Sequence, residues 1–285
     1  MQHIEFFHKD HFENRYHRCK AKRSLSEFID YFWETDFESL WNAYPQGFSD
    51  ALFPNIGYTY LINLGTPFVM QLEEQKHEIR SDGFLPRHKN MICHHSVGNK
   101  IFGIKFKVSP IVFEKKINFF EYREFIYPLA YLIDKTIVQK VKAADAFSKR
   151  VEIISNYYDH IIEQHSRSLN FVHVVTGALK QFEESGFSLS IEEIAKQHQI
   201  STRTLQRYFE ATTSITSKQA FQTMRIRKAI EQLLADGSSF DPASFGYYDY
   251  SHFHKHLKAF LGKHVIDISQ PHLKLLKQFN VASAK

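Results

Sequence analysis

The chain has little of what staples small secreted proteins or builds fibrous ones. Its 285 residues include only two cysteines, Cys19 and Cys93, which excludes a disulfide framework and a cysteine-rich zinc module. Eleven glycines and eight prolines are too few for a collagen-like or linker-dominated chain. No run approaches the ~18 apolar residues that a membrane helix needs. The opening MQHIEFFHKDHFENRYHRCK is too polar for a secretory signal. A reducing, cytoplasmic setting without a membrane partner is therefore expected. Gly-x-Ser-x-Gly, Walker, dinucleotide and His-Glu-x-x-His motifs are all missing.

What is present is an ordinary globular composition, 43% hydrophobic and 24% charged, with an uneven charge distribution. Up to residue 165 there are 21 basic and 21 acidic side chains; beyond it there are 15 and 10. The whole net charge of +5 thus sits in the C-terminal part, which suits a polyanionic partner.

The front of the chain reads as strands. Phe28–Trp33 is aromatic and β-branched, Ile56–Leu64 is stopped by Gly65-Thr66-Pro67, and Phe102, Ile104 and Phe106 alternate with Gly103, Lys105 and Lys107. Several short strands separated by turns predict a small barrel or sandwich. At Ser109-Pro110 a helix start appears. Phe147, Val151, Ile154, Tyr158, Ile161 and Ile162 then follow helical spacing over about 145–165. That stripe suits a connector, half of a dimer contact, or a packed core helix.

From residue 170 the pattern is helical only. Phe171, Val174, Val175, Ala178, Leu179 and Phe182 line one helix. Ser190 and Glu193 fit a capping box, and Ser201 caps a second short helix whose buried stripe is Leu205, Tyr208 and Phe209. This is a helix-turn-helix layout. Thr202, Arg203, Gln206 and Arg207 fall on the open face of the second helix. Arg suits guanine, Gln suits adenine, and Thr suits a thymine methyl or a phosphate. A second unit, Gly246–Gly262, places Phe253, Leu257 and Phe260 inside and Tyr250, Ser251, His254, Lys255 and Lys258 outside. A linking helix over Ser217–Leu234 carries Arg225, Arg227 and Lys228 on its exposed side.

The pair of blocks, Ser-x-Arg-Thr-Leu-Gln-Arg-x-Phe and then Gly-Tyr-x-Asp-x-Ser-His-Phe-x-Lys-x-Leu-Lys, resembles the AraC-type bacterial transcriptional regulators over about residues 170–270. The front segments, such as Ser81–Arg87 and Gly103–Phe106, resemble a cupin-like sensor. The resemblance implies an α+β chain: a cupin-like β-barrel sensor over 1–143, a connecting amphipathic helix over 144–168, and an all-α double helix-turn-helix domain over 169–285. It implies base contacts from Arg203, Gln206 and Arg207 with Thr202 nearby, and from Tyr250, Ser251, His254 and Lys255, with Lys258 and Arg225 on phosphates. The implied partners are promoter double-stranded DNA, a small-molecule effector, RNA polymerase if the chain activates, and a second copy of the chain. Two departures stand out. Gln199 occupies a turn position where the family has Gly, and Asp241–Phe245 is a shortened first helix in the second unit.

No cofactor and no catalytic residue are expected. The 17 histidines include the adjacent His94 and His95, with His77 and His88 as possible companions, but lack the spacing of a metal-binding cupin. They are read as ordinary surface or core residues, with no metal site. The competing reading is a cupin-like small-molecule-binding protein or metal-dependent enzyme whose helical tail is only structural. A third is a constitutive DNA-binding protein whose front only dimerises.

Overall fold

The computed structural model describes residues 1–115, 117–165, 170–236 and 239–268. Eleven strands among them build two sheets. They are β1 (Gln2–Ile4), β2 (Tyr16–Lys20), β3 (Ile29–Thr35), β4 (Phe48–Leu52), β5 (Tyr58–Asn63), β6 (Phe68–Leu72), β7 (Gln75–Ile79), β8 (Gly83–Pro86), β9 (Met91–His95), β10 (Ile101–Phe106) and β11 (Tyr127–Pro128). The five-stranded sheet runs β1-β4-β9-β6-β7, and the six-stranded sheet runs β11-β8-β5-β10-β3-β2. Every pairing is antiparallel except β1 with β4. The result is a two-sheet β-sandwich in the front of the chain, where a small barrel or sandwich was expected.

All six residues of β5, and all six of β10, are buried, because the larger sheet is covered on both sides. On the inner side Leu61, Leu85 and Ile101 meet Phe68, Met70 and Leu72 of the other sheet. On the outer side Tyr58, Tyr60, Phe102, Ile104 and Phe106 meet helices. The alternation of Lys105 with phenylalanine and isoleucine therefore does not mark a solvent face. Lys105 is buried, and its ammonium nitrogen donates to the carbonyls of Ile56 and Phe106. Gly103 is dictated by close approach, since a Cβ there would lie 2.0 Å from the Trp33 ring.

The helices are α1 (Lys9–Asn14), α2 (Ile111–Glu114), α3 (Lys135–Ala143), α4 (Phe147–His165), α5 (Asn170–Glu184), α6 (Ile191–Gln197), α7 (Thr202–Thr213), α8 (Ser217–Asp236) and α9 (Tyr250–Ile268). The helix start read at Ser109-Pro110 yields the single turn α2. Helix α4 lies on the outer face of the six-stranded sheet. Ile154, Tyr158 and Ile161 are buried there, Phe147 and Val151 pack against the same core, and Arg150 is salt-bridged to Glu34 of β3 at 2.9 Å. Burial of this kind contributes ~1.5–3 kcal/mol per isoleucine. The stripe is consumed within the chain, so it offers no face to a second copy, and the dimer expected from it loses its basis. Residues 166–168 of the expected connector and 269–285 of the expected C-terminal domain lie outside the described residues.

The helical part docks directly on the sandwich. Arg227 of α8 points to the front domain, not to solvent. It is paired with Glu5 at 2.7 Å, donates to the Pro54 carbonyl at 3.0 Å and lies over the Phe6 ring. Burial opposes the Glu5 charge, but Arg227 and Arg87 hold its carboxyl below the usual range. The Phe119–Tyr122 turn packs against α7, Ser214 meets His88 at 3.5 Å, and Phe53 meets Phe260 with ring centroids 5.7 Å apart.

Candidate nucleic-acid interface

The first unit is built from local rules. Ser190 accepts from the Glu193 amide at 3.1 Å, and the Glu193 carboxylate accepts from the Ser190 amide at 2.7 Å. This closes the capping box at the start of α6 and lowers the pKa of Glu193. Ile194 and Ala195 face inward with almost no exposure. The turn that follows needs a left-handed residue, and Gln199 supplies it at φ 56°. Ser201 then caps α7 by accepting from the Thr204 amide at 3.1 Å. Leu205 and Phe209 anchor α7 in the core.

On the other side of α7, Thr202, Arg203, Gln206 and Arg207 are all exposed. They form one row, because positions one and five of a helix, and two and six, stack on one face. Gln206 donates to the Glu210 carboxylate at 2.8 Å along that row.

The second unit repeats this frame 48 positions later, with Tyr250 opposite Thr202, Ser251 opposite Arg203, His254 opposite Gln206 and Lys255 opposite Arg207. Its first helix is reduced to a one-turn 3-10 segment, Pro242–Phe245, capped by Asp241 accepting from the Ala243 amide at 3.0 Å. Gly246 takes the left-handed turn position at φ 68°. Asp249 accepts from the His252 amide at 2.7 Å and so caps α9. Phe253 and Leu257 fill the places of Leu205 and Phe209.

Two side chains expected on DNA are turned inward. The Tyr250 hydroxyl donates to the Phe240 carbonyl, so this ring braces the unit. Arg225 donates to the Phe187 carbonyl at 3.2 Å and sits between the Phe182 and Tyr247 rings, at 5.8 and 6.0 Å from their centroids. It ties the two units together where a phosphate contact was expected. His254 is half-buried against the rings of Tyr250 and Phe253. Ser251, Lys255 and Lys258 are exposed as expected. Sequence reasoning passed over Tyr248, which stands 91% exposed immediately before the Asp249 cap. The doubled tyrosine after Gly246 was the only available signal.

Residues 194–266 match a helix-turn-helix domain family, a span covering most of both units. A comparison with curated proteins gives no match. Among solved structures, ToxT from Vibrio cholerae is 11% identical and has a TM-score of 0.40 over 73% of this chain and 87% of its own. The AraC-like transcriptional activator CuxR is 9% identical, with a TM-score of 0.28 over 77% of this chain and 88% of its own. A cupin superfamily protein from Desulfitobacterium hafniense is 13% identical, with a TM-score of 0.24 over 33% of this chain and 78% of its own.

Proposed function

We propose that the chain, with a helix-turn-helix domain over residues 194–266, is an AraC-type DNA-binding transcriptional regulator in which α7 reads bases while α9 holds the phosphate backbone. The observation that carries this is the exposed row Thr202, Arg203, Gln206 and Arg207 on a helix fixed at both ends. Bidentate donors on a rigid helix are what base edges in a major groove require. In the second unit the equivalent row keeps Ser251, Lys255 and Lys258 free to face solvent. Lysine is a point charge that suits phosphate and carries little sequence information. Tyr248, at the mouth of α9, adds a hydroxyl for the same backbone.

Control enters through the contact between the two domains. A cleft of about 1290 Å³ is lined from the front by Tyr31, Lys105 and Phe106 and from the back by Leu179, Met224 and Arg227. A small-molecule effector bound there touches both domains at once, and so changes how the linking helix α8 sits. The regulator works where its promoter DNA is, in the cytoplasm.

The test is footprinting on the DNA upstream of its own gene, with the salt dependence of affinity measured on the same fragment. Base-specific protection is expected in one major groove, with backbone protection one turn, about 34 Å, away. Equal base discrimination in both grooves would refute the division of labour.

A further inference from the structure

We propose that His3, His11 and Asp50, with His95 behind the carboxylate, form a binding site for a first-row divalent transition ion of the Zn²⁺ class inside the front domain. The four residues come from four elements, β1, α1, β4 and β9. Their side chains converge at the end of the sandwich, with exposures of 9%, 7%, 0% and 1%.

Asp50 is the centre. His3 Nδ1 lies 3.2 Å and His11 Nε2 3.1 Å from its Oδ1, and His95 Nε2 lies 3.2 Å from its Oδ2. The Tyr16 hydroxyl donates to Oδ2 at 2.5 Å. The donor atoms of His3, His11 and Asp50 all fall within 4.8 Å of one another. A tetrahedral ion with bonds of ~2.0–2.1 Å places its ligand atoms about 3.3 Å apart, so the His3 and His11 nitrogens already stand from Asp50 Oδ1 at nearly that spacing. Two imidazoles and one carboxylate are a borderline donor set, suited to Zn, Fe, Ni or Cu and unlike the all-oxygen shells of Ca²⁺ and Mg²⁺.

A second observation points the same way. Asn99 donates its amide to the Thr66 carbonyl at 3.2 Å, which turns its own oxygen toward His95 Nδ1, 2.7 Å away. His95 Nδ1 therefore carries the hydrogen. The opposite nitrogen, Nε2, is buried and stands 3.2 Å from Asp50 Oδ2, so His95 holds the second carboxylate oxygen and leaves Oδ1 toward His3 and His11. The His3 and His11 rings are stacked with centroids 3.6 Å apart, and two imidazolium cations would repel in that arrangement. His95 and Tyr16, both on Asp50 Oδ2, act as the outer partners that orient a metal ligand. Rings of Phe37 and Phe48 pack on His95 and help to close the site to water.

The site borders the domain contact. His3 and Glu5 are two residues apart, and Glu5 is the partner of Arg227 on α8. An ion on His3 stiffens the strand that the linking helix grips.

The experiment uses the full chain, stripped with a chelator and reloaded with Zn²⁺ alone or Co²⁺ alone. One ion per chain should survive gel filtration, Co²⁺ should give visible d–d bands, and Zn²⁺ should raise Tm. Asp50→Asn and His11→Gln should each weaken binding by more than the roughly 10–100-fold expected of His95→Gln, which removes an outer partner. His94→Gln, whose side chain leaves β9 on the opposite face, should bind as the wild type does. Folding of each variant is checked by circular dichroism and a cooperative melt. Should Asp50→Asn fail to fold, the chelator-induced fall in wild-type Tm and the His11→Gln variant still decide. A wild-type chain that retains neither ion, or wild-type stoichiometry and affinity in His11→Gln, overturns the site. DNA binding plays no part in these readouts, so they fail or succeed independently of the regulator reading.

Discussion

Helices α7 and α9 share one frame and differ in what they leave open. Both begin with a capping side chain, Ser201 or Asp249, and both bury the same two positions, Leu205 and Phe209 against Phe253 and Leu257. In α7 the four outward positions keep side chains that can address base edges. In α9 the first of them, Tyr250, is spent on the Phe240 carbonyl, and the third, His254, is half-buried. The reduction of the preceding helix to Pro242–Phe245 accompanies this change. With less helix to lean on, the second unit uses its own first residue as a brace. A repeated fold thus does not imply a repeated contact set. The internal needs of each copy decide which side chains remain for a partner.

The sharpest way to break this comparison is to substitute matched positions. Arg203→Ala or Gln206→Ala should cost about 1–3 kcal/mol of specific affinity and relax the preference at one base pair. Their counterparts in the second unit should behave differently. Lys255→Ala and Lys258→Ala should weaken binding alike across sequences and lower the salt slope by about 1 each. Titrations against a panel of single-base operator variants would check it. Loss of base preference from Lys255→Ala, or its retention in both α7 variants, would reverse the assignment.

A second comparison concerns how each unit is held to the front domain. The first is anchored through Ser214 and His88, whereas the second is anchored through Phe53, Phe260 and the Asn90 amide. Only the first of these contains a titrating group. Burial, with help from Lys89 and Arg123 against the opposing Glu124, lowers the pKa of His88 from 6.5 to about 4. The folded chain therefore prefers His88 neutral, and the unfolded chain binds more protons between those values. The contribution is complete above about pH 6.5 and is lost as pH falls toward 4. Allowing for partial exposure, wild type should lose about 1–2 kcal/mol more stability than His88→Gln between pH 7.5 and 5. Urea unfolding at the two pH values measures it. Equal losses in both proteins would mean that His88 is not the acid-sensitive anchor.

Much of the fold was readable because its rules are local. The capping box at Ser190, the caps at Ser201 and Asp241, and the strands around Phe102 and Tyr60 depend on neighbours within a few residues. Arg225, Arg227 and Lys105 were misplaced because a helix face or a strand face looks open in sequence until another element covers it. Their partners, Phe187, Glu5 and Ile56, lie 38, 222 and 49 residues away. The histidine cluster was missed for the same reason. His94 and His95 attract notice as neighbours, but the strand sends them to opposite faces. His95 instead meets Asp50, on which His3 and His11 also converge, and no spacing motif connects them. Among the outward residues of α7 the reading was straightforward, since a short capped helix presents its polar row in only one way.

The smallest expected effect lies in the two turns, and it is reciprocal. Gln199 and Gly246 both hold positive φ, 56° and 68°, ahead of the caps Ser201 and Asp249, so the left-handed turn residue is one with a side chain in one unit and glycine in the other. A residue with a Cβ is strained there by about 1–2 kcal/mol. Glycine removes the strain but widens the unfolded ensemble, which returns about 0.4–1 kcal/mol. The balance favours glycine by roughly 0.5–1 kcal/mol. Gln199→Gly should therefore raise stability by that amount, and Gly246→Gln should lower it similarly. Space does not decide the second change, because a Cβ on Gly246 would first meet the Arg225 guanidinium at an ordinary 3.5 Å. Gln199 is exposed, and its amide donates to the Lys196 carbonyl whichever side chain is present, so the first change isolates backbone strain. Both variants can be compared by urea unfolding with unchanged m-values. Opposite shifts of similar size establish the turns as equivalent. A Gln199→Gly variant that is less stable than wild type would show that the glutamine side chain itself supports the first unit, and the two turns would then differ in more than their residue type.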